Sequence, residues 1–245
     1  MRPDAAPGAD LSDADLSDAD LSGTDLPAGV LWDMDGTLVD TEPYWVQEEY
    51  ALVGEHGAIW TDEHAAALVG SDLLASAHYI RRHTGIDVAP EAIVTRLVDG
   101  VTRRVAEHIP WRPGARDLLA ALRAAGVPCA LVTMSYRRLA LAVVGALPPG
   151  SFAAVVAGDD VTHGKPHPEP YLTAAARLGV PAADCVAIED SPTGLASAVA
   201  AGVPALGVEH LVPLVAGPGR HLATTLVGIT PADLGSLSQR LAASA

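Results

Sequence analysis

The chain is predicted to be an α/β protein, a doubly wound parallel sheet interrupted early by an inserted helical cap domain. Three observations predict it. From Ala28 onward, short apolar runs alternate with Ala/Leu-rich stretches of helical period, as parallel strands joined by right-handed crossovers do. Between Thr41 and Trp111 the strand signal disappears and helical patterning continues alone. Polar residues capable of chemistry stand at the ends of the apolar runs, where open α/β sheets place ligands.

The elements follow in order. Residues 1–27 repeat Ala9-Asp-Leu-Ser-Asp, Ala14-Asp-Leu-Ser-Asp and Ala19-Asp-Leu-Ser-Gly, with seven aspartates against one arginine. The register resembles pentapeptide repeats, but so few turns cannot stack into a stable solenoid, so a disordered acidic tail is expected. A docking segment is the other reading. The core is expected over 28–40 and 112–245, with strands at 30–33, 128–133, 153–157, 185–189, 203–208 and 223–227. Helices are expected at 115–125, 136–145, 169–178, 193–201 and 232–241, and within the cap, 41–111, at 43–56, 63–68, 73–83 and 90–108. Pro110-Trp-Arg-Pro113-Gly114 reads as the stiff connector back to the core.

A length of 245 residues with 49% apolar content suits a packed core and excludes disorder of the whole chain. The net charge of −15 argues against nucleic acid and anionic membranes as partners, since both need a basic footprint. Cys129 and Cys185 fall in apolar strand runs and read as buried thiols. No signal sequence opens the chain and no apolar stretch is long enough to span a bilayer, so a cytoplasmic protein is expected. Monomer and dimer are equally open.

Asp33 and Asp35 stand two residues apart where the run from Val30 breaks at Gly36. On a strand such residues share a face, and converging carboxylates repel unless a cation or a shared proton relieves them. An Asp-Gly turn closing a strand is the plain alternative. Lys165 is the only lysine among 15 basic residues, in Gly164-Lys165-Pro166-His167-Pro168-Glu169-Pro170-Tyr171, which points to a position needing a compact ammonium. The run ending at Thr133-Met134-Ser135 closes in hydroxyls, and the run from Cys185 closes in Glu189-Asp190. Either could be a helix start: Ser191 as N-cap before Pro192 would explain the second.

Together and in this order, these four pieces resemble the motifs of the haloacid dehalogenase superfamily, over about Val30 to Val208. The resemblance implies a Rossmann-like core, the helical cap, and a β-phosphoglucomutase or sugar-phosphate phosphatase type of enzyme. It implies Asp33 as nucleophile forming an aspartyl-phosphate and Asp35 as general acid and base. It implies Thr133, the N–H of Met134 and Lys165 on the phosphoryl oxygens, and Mg2+ held by Asp33, Asp190, the backbone carbonyl of Asp35 and Glu189. The partner implied is a small phosphorylated metabolite.

Within the superfamily, Asp35 argues against carbon–halogen cleavage, the lysine-free cap against a Schiff-base hydrolase, and the missing spans against a transport ATPase. Trp45 stands where mutases resembling this chain carry a histidine, and the loop Gly70-Ser71-Asp72 lacks the arginine of the mutase loop. Trp45, Gly70 and Ser71 are therefore the expected cap contributions, with hydrolysis favoured over phosphomutase action. A non-catalytic binding module is the reading of another class, opposed by the complete residue set. His163 and His167 read as solvated loop histidines, while Arg137 and Arg138 read either as helix surface or as contacts for a distal anion.

Overall fold

The computed structural model describes residues 26–242, so the expected acidic tail lies outside the described residues except for Leu26 and Pro27. Six parallel strands form one sheet: β1 (Gly29–Trp32), β2 (Cys129–Val132), β3 (Ala154–Val156), β4 (Cys185–Glu189), β5 (Ala205–Val208) and β6 (Arg220–Ala223). Their order is β3-β2-β1-β4-β5-β6, which puts β1 and β4 at the centre and reverses direction between β1 and β4. This is the doubly wound arrangement that the alternation predicts, with a crevice at the switch point.

The central strands are buried at every position because both faces are covered, and β4 turns polar only at its last residue, Glu189. Val30 and Trp32 enter one buried cluster and Leu31 the other, the two-residue alternation of a strand. Cys129 and Cys185 are buried free thiols, one in each cluster. Register then sets the site. Trp32 pairs with Leu131 on one side and Ile188 on the other, so one residue further Asp33 is level with Val132 and Glu189.

Between β1 and β2 come α1 (Glu42–Glu55), α2 (Asp62–Ala66), α3 (Leu73–Thr84), α4 (Pro90–Glu107) and α5 (Ala115–Ala124). The first four occupy the stretch where strand patterning lapses. The two passages linking them to the sheet are stitched together: Val39 bridges Trp111, the Asp40 N–H donates to the Pro110 carbonyl, and Arg112 N–H to Leu38. α4 is amphipathic and packs against α1 and α3 on one side and α6 (Arg137–Gly145) on the other. α7 (Glu169–Leu178), α8 (Pro192–Ala200) and α9 (Pro231–Ala242) complete the element order.

One expected strand is misplaced. The apolar stretch 223–227 is not the sixth strand; the preceding Arg220-His-Leu-Ala223 is. β6 is an edge strand whose residues are half-buried or exposed, so it needs no apolar run, while Leu226 is buried in a loop against Gly114. Among the described residues, no helix is long and apolar enough to cross a membrane.

Candidate active site

The ends of β1, β2 and β4 and the loops after them enclose a cavity of about 200 Å3 roofed by α1, α3 and α4. Asp33, first residue beyond β1, is 7% exposed and its N–H is held by the Ile188 carbonyl at 3.0 Å. Leu31 and Ala187 belong to the cluster that contains Tyr171, so strand alternation sends Asp33 and Glu189 to that same face.

Lys165 reaches this point from the loop before α7 and uses all three of its donors. Its Nζ lies 2.6 Å from Asp33 Oδ1, 2.6 Å from Glu189 Oε1 and 2.9 Å from the Val132 carbonyl. The Tyr171 hydroxyl donates to the same Glu189 Oε1 at 2.7 Å. Glu189 Oε2 accepts from the Ser191 hydroxyl and from the N–H groups of Asp190 and Ser191. Ser191 also caps α8, receiving the Gly194 N–H at 3.0 Å, so the helix-start reading of this segment is realised alongside the cluster.

Asp33 Oδ2 is buried with no hydrogen-bond partner. Oxygens of Asp33, Glu189 and Asp190 lie within 4.8 Å of one another, a group able to hold a metal ion. One ammonium cannot neutralise three carboxylates. Burial, then the Glu189 charge, push the Asp33 carboxyl well above the ordinary range; burial, then Asp33 and Glu189, do the same to Asp190. Burial works against the charge on Lys165, but Asp33 and Glu189 overcome it and raise its pKa. The surplus is negative, and a cation relieves it.

The cluster also dictates a glycine. Gly36 turns the chain with φ +90°, and a Cβ there would sit 2.0 Å from Asp190 Oδ2. Thr37, next along, donates to Asp190 Oδ1 at 3.2 Å.

Asp35 is held apart from the acidic group by a cage of hydroxyls. Oδ1 accepts from Thr41, and Oδ2 from Thr133 at 3.0 Å and Ser135 at 2.8 Å. Thr41 occupies the N-cap position of α1 yet makes no capping bond, because its hydroxyl is committed to Asp35. Thr133 in turn accepts the Ser135 N–H at 2.9 Å. Hydroxyls can donate or accept, so this cage can follow a proton on and off the carboxylate.

Every residue expected at the site from the sequence is on the cavity wall or in the cluster beneath it: Asp33, Asp35, Thr133, Met134, Lys165, Asp190, Trp45, Gly70 and Ser71 line it, and Glu189 anchors Lys165. Sequence reasoning missed Thr41, Ser135 and Tyr171, and on α1 Glu42 and Glu49. Ser135 and Tyr171 stood inside the quoted motif stretches, and proximity to the motifs was the available signal. Arg137 is engaged by Asp160 and the Val155 carbonyl, and Arg138 by Asp99 and the Thr95 carbonyl. His163 and His167 are exposed, and Glu169 joins them in a second group able to hold a metal.

Residues 27–202 match the sequence profile of the haloacid dehalogenase-like hydrolases. The chain belongs to that family. Hexitol phosphatase A of Escherichia coli K12 is 34% identical over 74% of this chain and 82% of its own length. Fructose-1-phosphate phosphatase YqaB of the same strain is 32% identical over 75% and 97%. Among solved structures, CbbY from Rhodobacter sphaeroides in complex with phosphate superposes with a TM-score of 0.75 at 26% identity, covering 83% of this hydrolase and 96% of CbbY. Residues 6–32 also match a pentapeptide-repeat profile, whose last four positions are β1 of the hydrolase sheet.

Proposed function

We propose that this hydrolase is a Mg2+-dependent phosphatase of small phosphomonoesters, sugar phosphates above all, that works through an aspartyl-phosphate on Asp33, with residues 41–111 as its cap. The observation that carries the reading is the pair of oxygens on Asp33. Oδ1 is aligned by Lys165, while Oδ2 is buried and unpartnered beside Asp190, as a cation ligand would be. The phosphatase names of the two bacterial relatives agree with it.

Asp33 Oδ2 and Asp190 would hold Mg2+, with the Asp35 carbonyl and Glu189 completing the set that the family resemblance implies. Hard oxygen donors in a surplus of negative charge suit that ion, which would neutralise the transferring phosphoryl group. The Asp33 carboxylate forms a bond to phosphorus as the ester P–O bond breaks, and Asp35 delivers a proton to the departing alcohol. Asp35 then takes a proton from water as the water oxygen attacks phosphorus, releasing phosphate and restoring Asp33. Lys165 keeps the nucleophile placed and its charge balanced. Its donors serve the two carboxylates, and Thr133 serves Asp35, so phosphoryl contacts by either require these bonds to be shared.

The competing outcome is return of the phosphoryl group to a sugar hydroxyl. Trp45 fills the cavity wall where that route would use a basic side chain. With β-glucose 1-phosphate and a trace of glucose 1,6-bisphosphate, inorganic phosphate is expected to accumulate and glucose 6-phosphate is not. Glucose 6-phosphate forming faster than phosphate, and only with the bisphosphate present, would mark a mutase.

A further inference from the structure

Above the Asp33 cluster, the cap side of the cavity offers Glu42, Glu49, Asp72, Ser71, Ser76 and Trp45, and no lysine or arginine. Lys165 is the one fully charged basic residue anywhere on the wall, and its three donors are engaged within the cluster. His210, also on the wall, is paired with Asp40 at 3.0 Å. The arginines nearest in sequence to the Thr133 motif, Arg137 and Arg138, are bound to Asp160 and Asp99. Glu49 is only 5% exposed, with the Trp60 indole N–H on Oε2 at 3.2 Å. An anionic group arriving here would meet only acidic and neutral side chains.

We infer that the cap wall, with Glu42 and Glu49 as its specificity-determining residues, selects phosphomonoesters whose remaining part is an uncharged polyol or sugar, and rejects any that carry a second anionic group. This deepens the phosphatase reading and rests on it. A hydroxyl-rich substrate satisfies the wall's carboxyls and serines by hydrogen bonds. A carboxylate or second phosphate would be desolvated beside Glu42 and Glu49 with no counter-ion, and like charges so juxtaposed are strongly unfavourable. The two phosphatase relatives are named for phosphates of an uncharged polyol or sugar.

The test uses pairs of equal size. Glucitol 6-phosphate and 6-phosphogluconate differ by CH2OH against carboxylate at one end; 2-hydroxyethyl phosphate and phosphoglycolate differ in the same way. At pH 8.5 with Mg2+, kcat/KM of the full-length protein is expected to favour the neutral member of each pair by about 100-fold, the order expected of one uncompensated buried charge contact. Glu49→Gln, which keeps the side chain's shape, is expected to narrow that ratio by about tenfold or more, the effect of removing one of two nearby charges. Equal kcat/KM within the pairs, or a ratio untouched in a Glu49→Gln protein that still melts cooperatively and turns over the neutral substrates, would overturn the inference and leave the phosphatase reading standing. Phosphate release from none of the four compounds would overturn both.

Discussion

Lys165 Nζ and Asp33 Oδ1 lie 2.6 Å apart with both side chains buried, and Glu189 takes a second proton of the same ammonium at the same distance. Lys165→Met should therefore strand three carboxylates in the crevice. Removing one partner of a buried pair costs about 3–5 kcal/mol. The expected outcome is a large drop in melting temperature together with loss of turnover. Lys165→Arg should not rescue either, because a planar fork cannot place three donors around one point. Wild-type melting in the Met variant would show that the cluster is not held by this ammonium.

Tyr171 is buried and gives its hydroxyl to Glu189, and its own pKa is raised, first by burial and then by the Glu189 charge. Tyr171→Phe removes one hydrogen bond to a charged acceptor, at a cost of about 1.5–3 kcal/mol. Urea unfolding should show that loss. Turnover should fall less than in the lysine variant, because Lys165 still holds Asp33.

Metal binding has a readout independent of activity. A ligand that binds only the folded state raises the melting temperature with concentration. Mg2+ is expected to do so for the wild type and to lose most of the effect in Asp190→Ala. An identical Mg2+ dependence in the two proteins would assign Asp190 to fold stability alone.

Glu49 makes a pH prediction. Burial pushes its carboxyl from 4.5 up to about 8, with the Trp60 hydrogen bond opposing. The folded pKa exceeds the unfolded one, so the folded state favours the proton. That contribution is complete below about pH 4.5 and is lost as pH rises through about 8. Relative to Glu49→Gln, the wild type should lose stability between pH 5 and pH 8.5, at about 2–4 °C in melting temperature per kcal/mol. A constant difference across that range would contradict the assignment.

Much of this was legible in the sequence, for physical reasons. β1, β2 and β4 are buried on both faces, so their apolar runs stand out, and the residues that break those runs are the ones the register brings together. The exposed edge strand β6 carries no such signal and was displaced by a few residues. The hydroxyl cage around Asp35 was not legible. Thr41 stands at the head of α1, and Thr133 and Ser135 come from the loop after β2, 98 and 100 residues further along the chain than Asp35. The same holds for Glu49, one of 30 acidic residues in the sequence until α1 turns it into the cavity.

The central claim is that Asp33 is the nucleophile, and Asp33→Asn tests it most directly. The amide keeps the shape of the side chain but removes the charge that attacks phosphorus. Phosphate release from glucitol 6-phosphate with Mg2+ should fall by several orders of magnitude, as expected for loss of a covalent nucleophile, while far-UV circular dichroism stays that of the wild type. Turnover above about 1% of wild type in a folded variant would contradict the covalent mechanism.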